Sequence, residues 1–450
     1  MSILAINDLA LELVKLDFSN GHAASASNGG PTKTSRALAI IHLAGHDAYG
    51  AVSSKLTPKL PGMPAVPGSV AKTEANAQAA LAAASLRACE VLYPDNAALI
   101  ATTGATITAG ADTASLAYGV AVGDAWIAAR TLDGSELPLT DRNYSQAAGD
   151  HRPDPLDQNQ PQHGPNWGKV KPFVLASVAA DAPLAKYPAL TSKEYYENFK
   201  EVKECGRADL PFRTAAFRHK AAVGIFWGYD GSNLLGTPPR LYLQVIRALP
   251  EFVAAAFEQK VRLLTACATA MADAGIAAWH WKYKYNLWRP VVGIREADAG
   301  WGPSGTGDKN PTRLAKALRG DPFWLPLGAP RSNPHPGPMA GGAGANPTPN
   351  FPAYPSGHST FGSACFGTAA KILGKSLTSL KVEFVSDEFN GKTTDNTGAV
   401  RPKWVQKISL AECMKQNEES RIFLGVHWRF DAEGGAAVGK AIATKVAAAF

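Results

Sequence analysis

The sequence predicts a mainly α protein: two helical bundles of the four-helix type, long ordered loops between them, and the active site in the C-terminal bundle. Three observations lead there. Segments mixing Ala and Leu with Lys, Arg and Glu recur along the chain, a composition of high helix propensity. No long stretch alternates apolar and polar residues with the period of two that a half-buried strand requires. Hydrophobic residues make up 46% of the 450 positions and charged residues 18%, enough to fill well-packed cores and too apolar for disorder. The bundles are expected to divide as residues 1–190 and 191–450 within one compact unit, joined near residues 175–205.

Taken in order, residues 6–17 read as an amphipathic first helix, followed by a loop rich in Gly, Ser and Asn over 19–35. Residues 36–53 form a strong helix that contains His46-Asp47, with Leu38, Ile41, His42 and Ala48 near helical spacing. After a Pro/Gly-rich link, Ala-rich helices are expected at 72–92 and 112–131. Residues 140–171 hold many Pro, Asn and Gln and read as one long loop, the kind that in a compact protein carries function or covers a surface. Tyr144, His151, Trp167 and Phe173 around it could line a pocket, although packed surface aromatics is the plainer reading. Further helices are expected at 192–203, 214–229 and 239–248, the last opened by Pro238-Pro239. A helix at 250–273 ends near Gly275, and 276–292 continues as a helix or helix pair up to Arg289-Pro290. Residues 300–352, dense in Gly, Pro and Asn, read as an ordered cover. A helix opened by Ser356 runs to about Leu373, 378–404 holds a short hairpin or surface insert, 410–423 is helical, Gly425 breaks it, and 432–449 is the final helix.

The net charge of +7 is diffuse and forms no nucleic-acid stripe. The five cysteines are far apart, show no paired metal spacing, and read as mostly buried thiols. No uninterrupted run of 18 apolar residues and no signal-peptide pattern is evident, so a soluble protein without a membrane partner is expected; the compartment stays unassigned, and a homo-oligomer is compatible with the sequence.

Three segments carry the chemistry. In Phe-Pro-Ala-Tyr-Pro-Ser-Gly-His-Ser-Thr-Phe-Gly, residues 351–362, Pro352 and Pro355 keep the approach extended. Ser356 is placed to cap a helix whose first N–H, that of Gly357, is free for an oxyanion. His358 follows to exchange a proton with whatever binds. An ordinary capped helix with a solvent-facing histidine reads these residues equally well. The second segment runs from Lys282 to Arg289-Pro290. On one helix their spacing of seven puts both cations on one face, where they repel unless they share an anion; a solvated basic face is the plain alternative. The third is Ser420-Arg421-Ile-Phe-Leu-Gly-Val-His427-Trp-Arg-Phe-Asp431. A straight helix sets Arg421 and His427 about 120° apart, but a stop at Gly425 lets His427 turn back beside Arg421. The apolar flanks bury this segment, so both residues need partners, and a structural Arg–carboxylate pair with a core histidine would also satisfy them. Together the set suits a tetrahedral or trigonal-bipyramidal oxyanion with one axial histidine. Phosphate and vanadate are the sensible occupants.

Lys-x6-Arg-Pro, Pro-Ser-Gly-His and Ser-Arg-x5-His, in that order, resemble the superfamily of type-2 phosphatidic acid phosphatases, bacterial class A acid phosphatases and vanadium-dependent haloperoxidases. Within it the chain is most similar to the vanadium chloroperoxidase group, through residues 229–240, 273–279, 351–362 and 420–431, over roughly residues 215–435. The resemblance implies vanadate as cofactor, with phosphate able to occupy the site without it. It implies that His427 bonds the metal, that Lys282, Arg289, Arg421, Ser356 and the Gly357 N–H hold the equatorial oxygens, and that His358 is the acid–base residue. Asp230 is implied to pair with Arg421, and Phe351 and Trp279 to wall the halide. Ser359 departs from the pattern, standing where a small apolar residue is expected. The chain is also shorter than the fungal enzymes, chiefly in its N-terminal half.

The implied reaction is oxidation of chloride or bromide by hydrogen peroxide to hypohalous acid, with His358, Lys282 and His427 as catalytic residues. The organic acceptor is left open. The alternative is an acid phosphatase in which His427 attacks phosphorus and His358 protonates the leaving alcohol. The apolar pair Phe351 and Trp279 favours the peroxidase, because a weakly hydrated halide gains from such a wall and a phosphate ester does not.

Overall fold

The computed structural model describes residues 3–17, 27–209, 213–230, 235–297, 320–328, 348–395 and 398–450. Among them are fifteen α-helices and two small antiparallel strand pairs. The first layer holds α1 (Ile3–Asp17), α2 (Gly30–Ser53), α3 (Glu74–Leu92), α4 (Ala97–Ile107) and α5 (Thr113–Ala129). The long loop that follows contains the two-residue strands β1 (Thr140–Asp141) and β2 (Gln162–His163) and little other regular structure. Then come α6 (Val178–Asp181), α7 (Lys193–Cys205), α8 (Ala215–Phe226), α9 (Pro238–Arg247), α10 (Pro250–Ala254), α11 (Phe257–Tyr285) and α12 (Pro290–Glu296). The C-terminal set is α13 (Gly357–Leu373), β3 (Lys381–Val385), β4 (Val405–Ser409), α14 (Leu410–Phe423) and α15 (Arg429–Ala449).

The abundance of alanine and glycine has a packing consequence. α2, α3 and α5 pack side by side, and α11 packs between α2 on one side and α13 and α15 on the other. Close approach is paid for in side-chain size: a Cβ on Gly119 of α5 would lie 2.3 Å from the Ala80 carbonyl oxygen of α3. On Gly439 of α15 it would lie 2.5 Å from the Thr360 carbonyl oxygen of α13. Such contacts bring backbones together and carry the two bundles as one hydrophobic core.

α11 corrects the expected helix boundary. It runs 29 residues straight through Gly275, because that glycine is a packing position and not a stop: a Cβ there would meet the Phe361 ring at 3.1 Å and the Ser35 hydroxyl at 3.2 Å. By length and composition α11 would suit a membrane span, but 94% of its most apolar window is buried inside the protein. The helix ends at Asn286, which is left-handed at φ 49°. Arg289 is therefore not on α11. It is the extended N-cap of α12, held at φ −76° and ψ 157° before Pro290, where the pyrrolidine ring disfavours helix in the preceding residue. Lys282 and Arg289 meet across a turn, and not along one helix face.

Other expectations fare differently. α4 was not foreseen, since Thr102, Thr103, Thr106 and Gly104 weaken its helical signal. Helices α13 and α14 follow the predicted segments closely, and α13 has Ser356 as its N-cap with the side chain accepting the Ser359 N–H; α2 ends where expected but starts at Gly30, with Pro31 in its first turn, inside the segment expected to be a loop. The expected hairpin is β3 paired with β4. All five cysteines are free, and all but Cys205 are buried. Most of the cover expected over 300–352 lies outside the described residues.

Gly425 closes α14 at φ +71°, and a Cβ there would sit 2.2 Å from the Gly206 carbonyl oxygen. Gly425→Ala should cost at least about 2 kcal/mol from left-handed strain and this clash together. Urea unfolding measures it; a loss below about 0.5 kcal/mol, the range of a neutral surface change, would contradict the assignment.

Candidate active site

Helix ends supply the site. Lys282 comes from the last turn of α11, Arg289 from the N-cap of α12, Ser356, Gly357 and His358 from the start of α13, and Arg421 from the last turn of α14. His427 precedes α15, whose first turn holds Asp431. Backbone bonds tie these ends together: the Ser356 N–H donates to the Asp431 carbonyl at 2.8 Å, and the Ala353 N–H to the Leu287 carbonyl at 2.8 Å.

The two arginines and two histidines converge. Arg289 donates through Nε to the Phe351 carbonyl at 2.9 Å and through Nη1 to the Val426 carbonyl at 2.7 Å and to His427 Nε2 at 2.9 Å. A guanidinium has no acceptor, so Nε2 must hold the lone pair. The neutral ring's hydrogen then lies on Nδ1, 2.9 Å from Asp431 Oδ2, an oxygen that also accepts the Trp428 N–H at 2.9 Å. Burial, with the charges of Arg289, Lys282 and Arg421, holds the His427 ring well below the usual imidazole range. Burial pushes the Asp431 carboxyl up to about 7, against the pull of the Trp428 N–H and of Lys282 and Arg289. A neutral imidazole fixed by a carboxylate, with a lone pair on its other nitrogen, is the arrangement of a metal-ligating histidine; here that lone pair accepts from Arg289 Nη1, which a metal would have to displace.

Arg421 makes a forked pair with Asp230, Nη1 to Oδ2 at 2.9 Å and Nη2 to Oδ1 at 3.0 Å. His358 Nε2 is 2.6 Å from the Gly228 carbonyl, which only accepts, so Nε2 carries the hydrogen and Nδ1 keeps the lone pair. Its ring is pushed down to about 3 by burial and by Arg421, against the weaker raising effect of Asp230 at 3.6 Å. The His358 carbonyl is pinned by the Tyr242 hydroxyl at 3.1 Å and by Asn417 Nδ2 at 2.9 Å.

Lys282 is fully buried and donates to the carbonyls of Pro352, Ala353 and Pro355 at 2.8, 3.0 and 2.5 Å. Burial and Arg289 push its ammonium well below the usual lysine range, yet three acceptors require three hydrogens, which only the charged form has. Any ligand oxygen must share or displace one of these bonds. The ammonium also lies 5.6 Å from the Trp279 ring and 5.1 Å from that of Phe351, which itself carries the Arg289 guanidinium at 4.9 Å. Trp279 is buried and donates its indole N–H to the His163 carbonyl at 3.1 Å; Phe351, 4.7 Å away between centroids, is half-buried.

The residues fit a tetraoxo anion. Three buried cations, Lys282, Arg289 and Arg421, face two carboxylates, Asp230 and Asp431. Arg289 Nη2 and Arg421 Nε are buried without a partner, and among the described residues no acceptor bonds the Gly357 N–H. Among the described residues no cluster of three or more His, Cys, Asp or Glu could hold a bare cation. A cavity of about 490 Å³ lined by Leu9, Leu99, Arg240 and Arg247 lies elsewhere and contains none of these groups.

Asp431 and the Gly228 carbonyl were not singled out from the sequence. The spacing of His427 and Asp431, four apart, was the available signal for the first. Of the four loop residues considered as a pocket lining, Phe173 stacks under Arg130 at 3.8 Å and Trp167 is buried beside α11. Tyr144 bonds the Gln160 carbonyl at 2.7 Å. His151 alone of the four is bonded to the Asn286 turn between Lys282 and Arg289.

Residues 262–450 match the family model described as the VCPO second helical-bundle domain. The vanadium chloroperoxidase of Curvularia inaequalis is 30% identical over 520 residues, covering 96% of this chain and 79% of that one. Among solved structures, a bacterial vanadium-dependent iodoperoxidase superposes with a TM-score of 0.70 at 20% identity, covering 98% of this chain and 94% of that chain. An apo-type bacterial vanadium-dependent chloroperoxidase gives 0.65 at 14% identity, covering 93% of each chain.

Two outcomes follow from the His427–Asp431 pair. Asp431→Asn should weaken orthovanadate binding about 10–100-fold by releasing the ring; titration calorimetry measures it, and unchanged affinity would refute the assigned tautomer. Because the His427 pKa is depressed, Nε2 stays unprotonated as pH falls through the ordinary imidazole value of about 6.5, and a loss of affinity near neutral pH belongs to Asp431, whose carboxyl is pushed up to about 7; Asp431→Asn should therefore show no such loss. A tenfold loss centred at about 6.5 that persists in Asp431→Asn would contradict the depressed His427 value.

Proposed function

The chain belongs to the vanadium-dependent haloperoxidase family, and from that premise we propose that it oxidises a halide with hydrogen peroxide to hypohalous acid, using vanadate held in the cage of buried cations. The observation that carries this reading is the neutral His427 ring, whose Nε2 lone pair is turned toward guanidinium donors that have hydrogens to spare.

His427 Nε2 is the nitrogen for the metal. Arg289 Nη2, Arg421 Nε, the Gly357 N–H and the Ser356 hydroxyl are the donors for its oxygens, with Lys282 adding charge from behind its carbonyl acceptors. Vanadate, when bound, supplies a Lewis-acid centre that makes peroxide oxygen electrophilic toward halide. The buried cations stabilise negative charge on the oxygens; Arg289 Nη2 and Arg421 Nε have hydrogens to give, whereas Arg289 Nη1 must leave His427 Nε2 and Lys282 must share a carbonyl bond. His358 would accept the proton of incoming hydrogen peroxide on Nδ1, the nitrogen that keeps its lone pair while Nε2–H is held by the Gly228 carbonyl. Asp230 keeps Arg421 in place through its forked pair.

Chloride and bromide as the halides are the finer part of the proposal. Phe351, half-buried beside Lys282 and Arg289, is the apolar side chain available to a weakly hydrated ion; Trp279 is committed to packing and to the His163 carbonyl. The phosphatase reading uses the same His427 as nucleophile. The apolar side chain of Phe351 argues for the peroxidase.

His427→Ala should abolish orthovanadate binding. His358→Ala should keep the anion and lose about 10²–10⁴-fold in halide oxidation, followed with monochlorodimedone in chloride, bromide and iodide. Full bromide oxidation by His358→Ala would remove the acid–base role. Hydrolysis of p-nitrophenyl phosphate with no halide-dependent peroxide consumption after vanadate addition would favour the phosphatase.

A further inference from the structure

The loop over residues 140–171 contributes a group that the reading above does not use. Its segment around Asp150 pairs with the turn joining α11 to α12. The His151 N–H donates to the Asn286 carbonyl at 2.8 Å, the Trp288 N–H donates to the Gly149 carbonyl at 2.8 Å, and Asp150 bridges Leu287. Asn286 is the left-handed residue between Lys282 and Arg289, so the backbone of His151 is fixed against the turn that sets the two cations. The His151 side chain is 1% exposed, and neither ring nitrogen has a partner. Tyr144 flanks the ring at 5.7 Å between centroids. Next to it, Arg152 is committed to Glu296 and to the Ala147 carbonyl.

We infer that His151 is an additional anion-binding residue of the cage, giving one ring N–H to the oxoanion beside Arg289. Burial, with the charges of Arg289, Lys282 and Arg152, holds the ring well below the usual imidazole range, so it stays neutral and keeps one N–H to donate. A buried imidazole with both nitrogens unmet is unfavourable, and a bound acceptor satisfies the one that carries the hydrogen. Arg289 Nη2, on the residue that closes the same turn, also lacks an acceptor, whereas the three hydrogens of Lys282 are already spent on carbonyls. His151 thus supplies a donor where the lysine has none free. The inference rests on the anion-cage reading and is independent of whether the bound anion supports peroxidase or phosphatase chemistry.

The test is calorimetric titration of the full chain with inorganic phosphate and with orthovanadate, comparing His151→Phe, which keeps ring volume without a donor, and His151→Gln, which keeps a donor. His151→Phe should bind both anions about ten-fold more weakly and His151→Gln within about three-fold of the natural chain. Equal affinity of His151→Phe and the natural chain would overturn the inference. Should His151→Phe fail to fold, ¹⁵N-histidine spectra of the natural chain decide: phosphate should shift a His151 ring nitrogen, and no shift would overturn it. These titrations read His151 whether or not the natural chain oxidises halide, so failure of either reading is told from failure of the other.

Discussion

Burial of more positive than negative charge at one point is the constraint on which the rest of the structure depends. Lys282, Arg289 and Arg421 are each at most 1% exposed, and Asp230 and Asp431 balance only part of their charge. Removing such groups from water costs several kcal/mol apiece unless partners compensate. Part of the compensation is in place: three carbonyls around Lys282, the forked Asp230 pair on Arg421, and aromatic faces under Lys282 and Arg289. In the proposed reading an anion supplies the remainder. Binding is therefore coupled to stability, by about 2.7 kcal/mol when ligand stands at a hundred times its dissociation constant.

The bundle architecture answers this constraint by placing helix ends, and not helix faces, around the site. Ends carry unpaired N–H groups and directed dipoles, and they let the chain change direction between one functional residue and the next. Tight contacts such as Gly439 against Thr360 hold α15 on α13, which keeps His427 and Asp431 in register with Ser356 and His358. The positive φ at Gly425 turns the chain between Arg421 and His427. The long loop is tied by backbone bonds to the turn at Asn286.

Much of this was legible in the sequence, for stated reasons. Ser356 as a cap, Gly357 as an open N–H and Gly425 as a stop follow from local backbone chemistry, which a sequence displays directly. The convergence of distant segments was legible only because buried cations need a common partner. What was misread depended on tertiary contact. Gly275 looked like a helix end, and only the Phe361 ring against it shows that it is a packing site. Lys282 and Arg289 were set on one face because a spacing of seven fits a helix, while Pro290 had already marked Arg289 as extended. The saturated ammonium of Lys282 could not be foreseen, since its acceptors are backbone carbonyls seventy residues away. Asp431 carried a readable signal four residues after His427, hidden among the apolar flanks.

The most direct measurement is a crystal structure of the full chain soaked in orthovanadate. Density for one tetraoxo group bonded to His427 Nε2, with Arg289 Nη2 and Arg421 Nε turned to its oxygens, is the predicted result. An anion bound away from His427, or none bound with those donors still idle, would contradict the claim that the buried cations form a vanadate site.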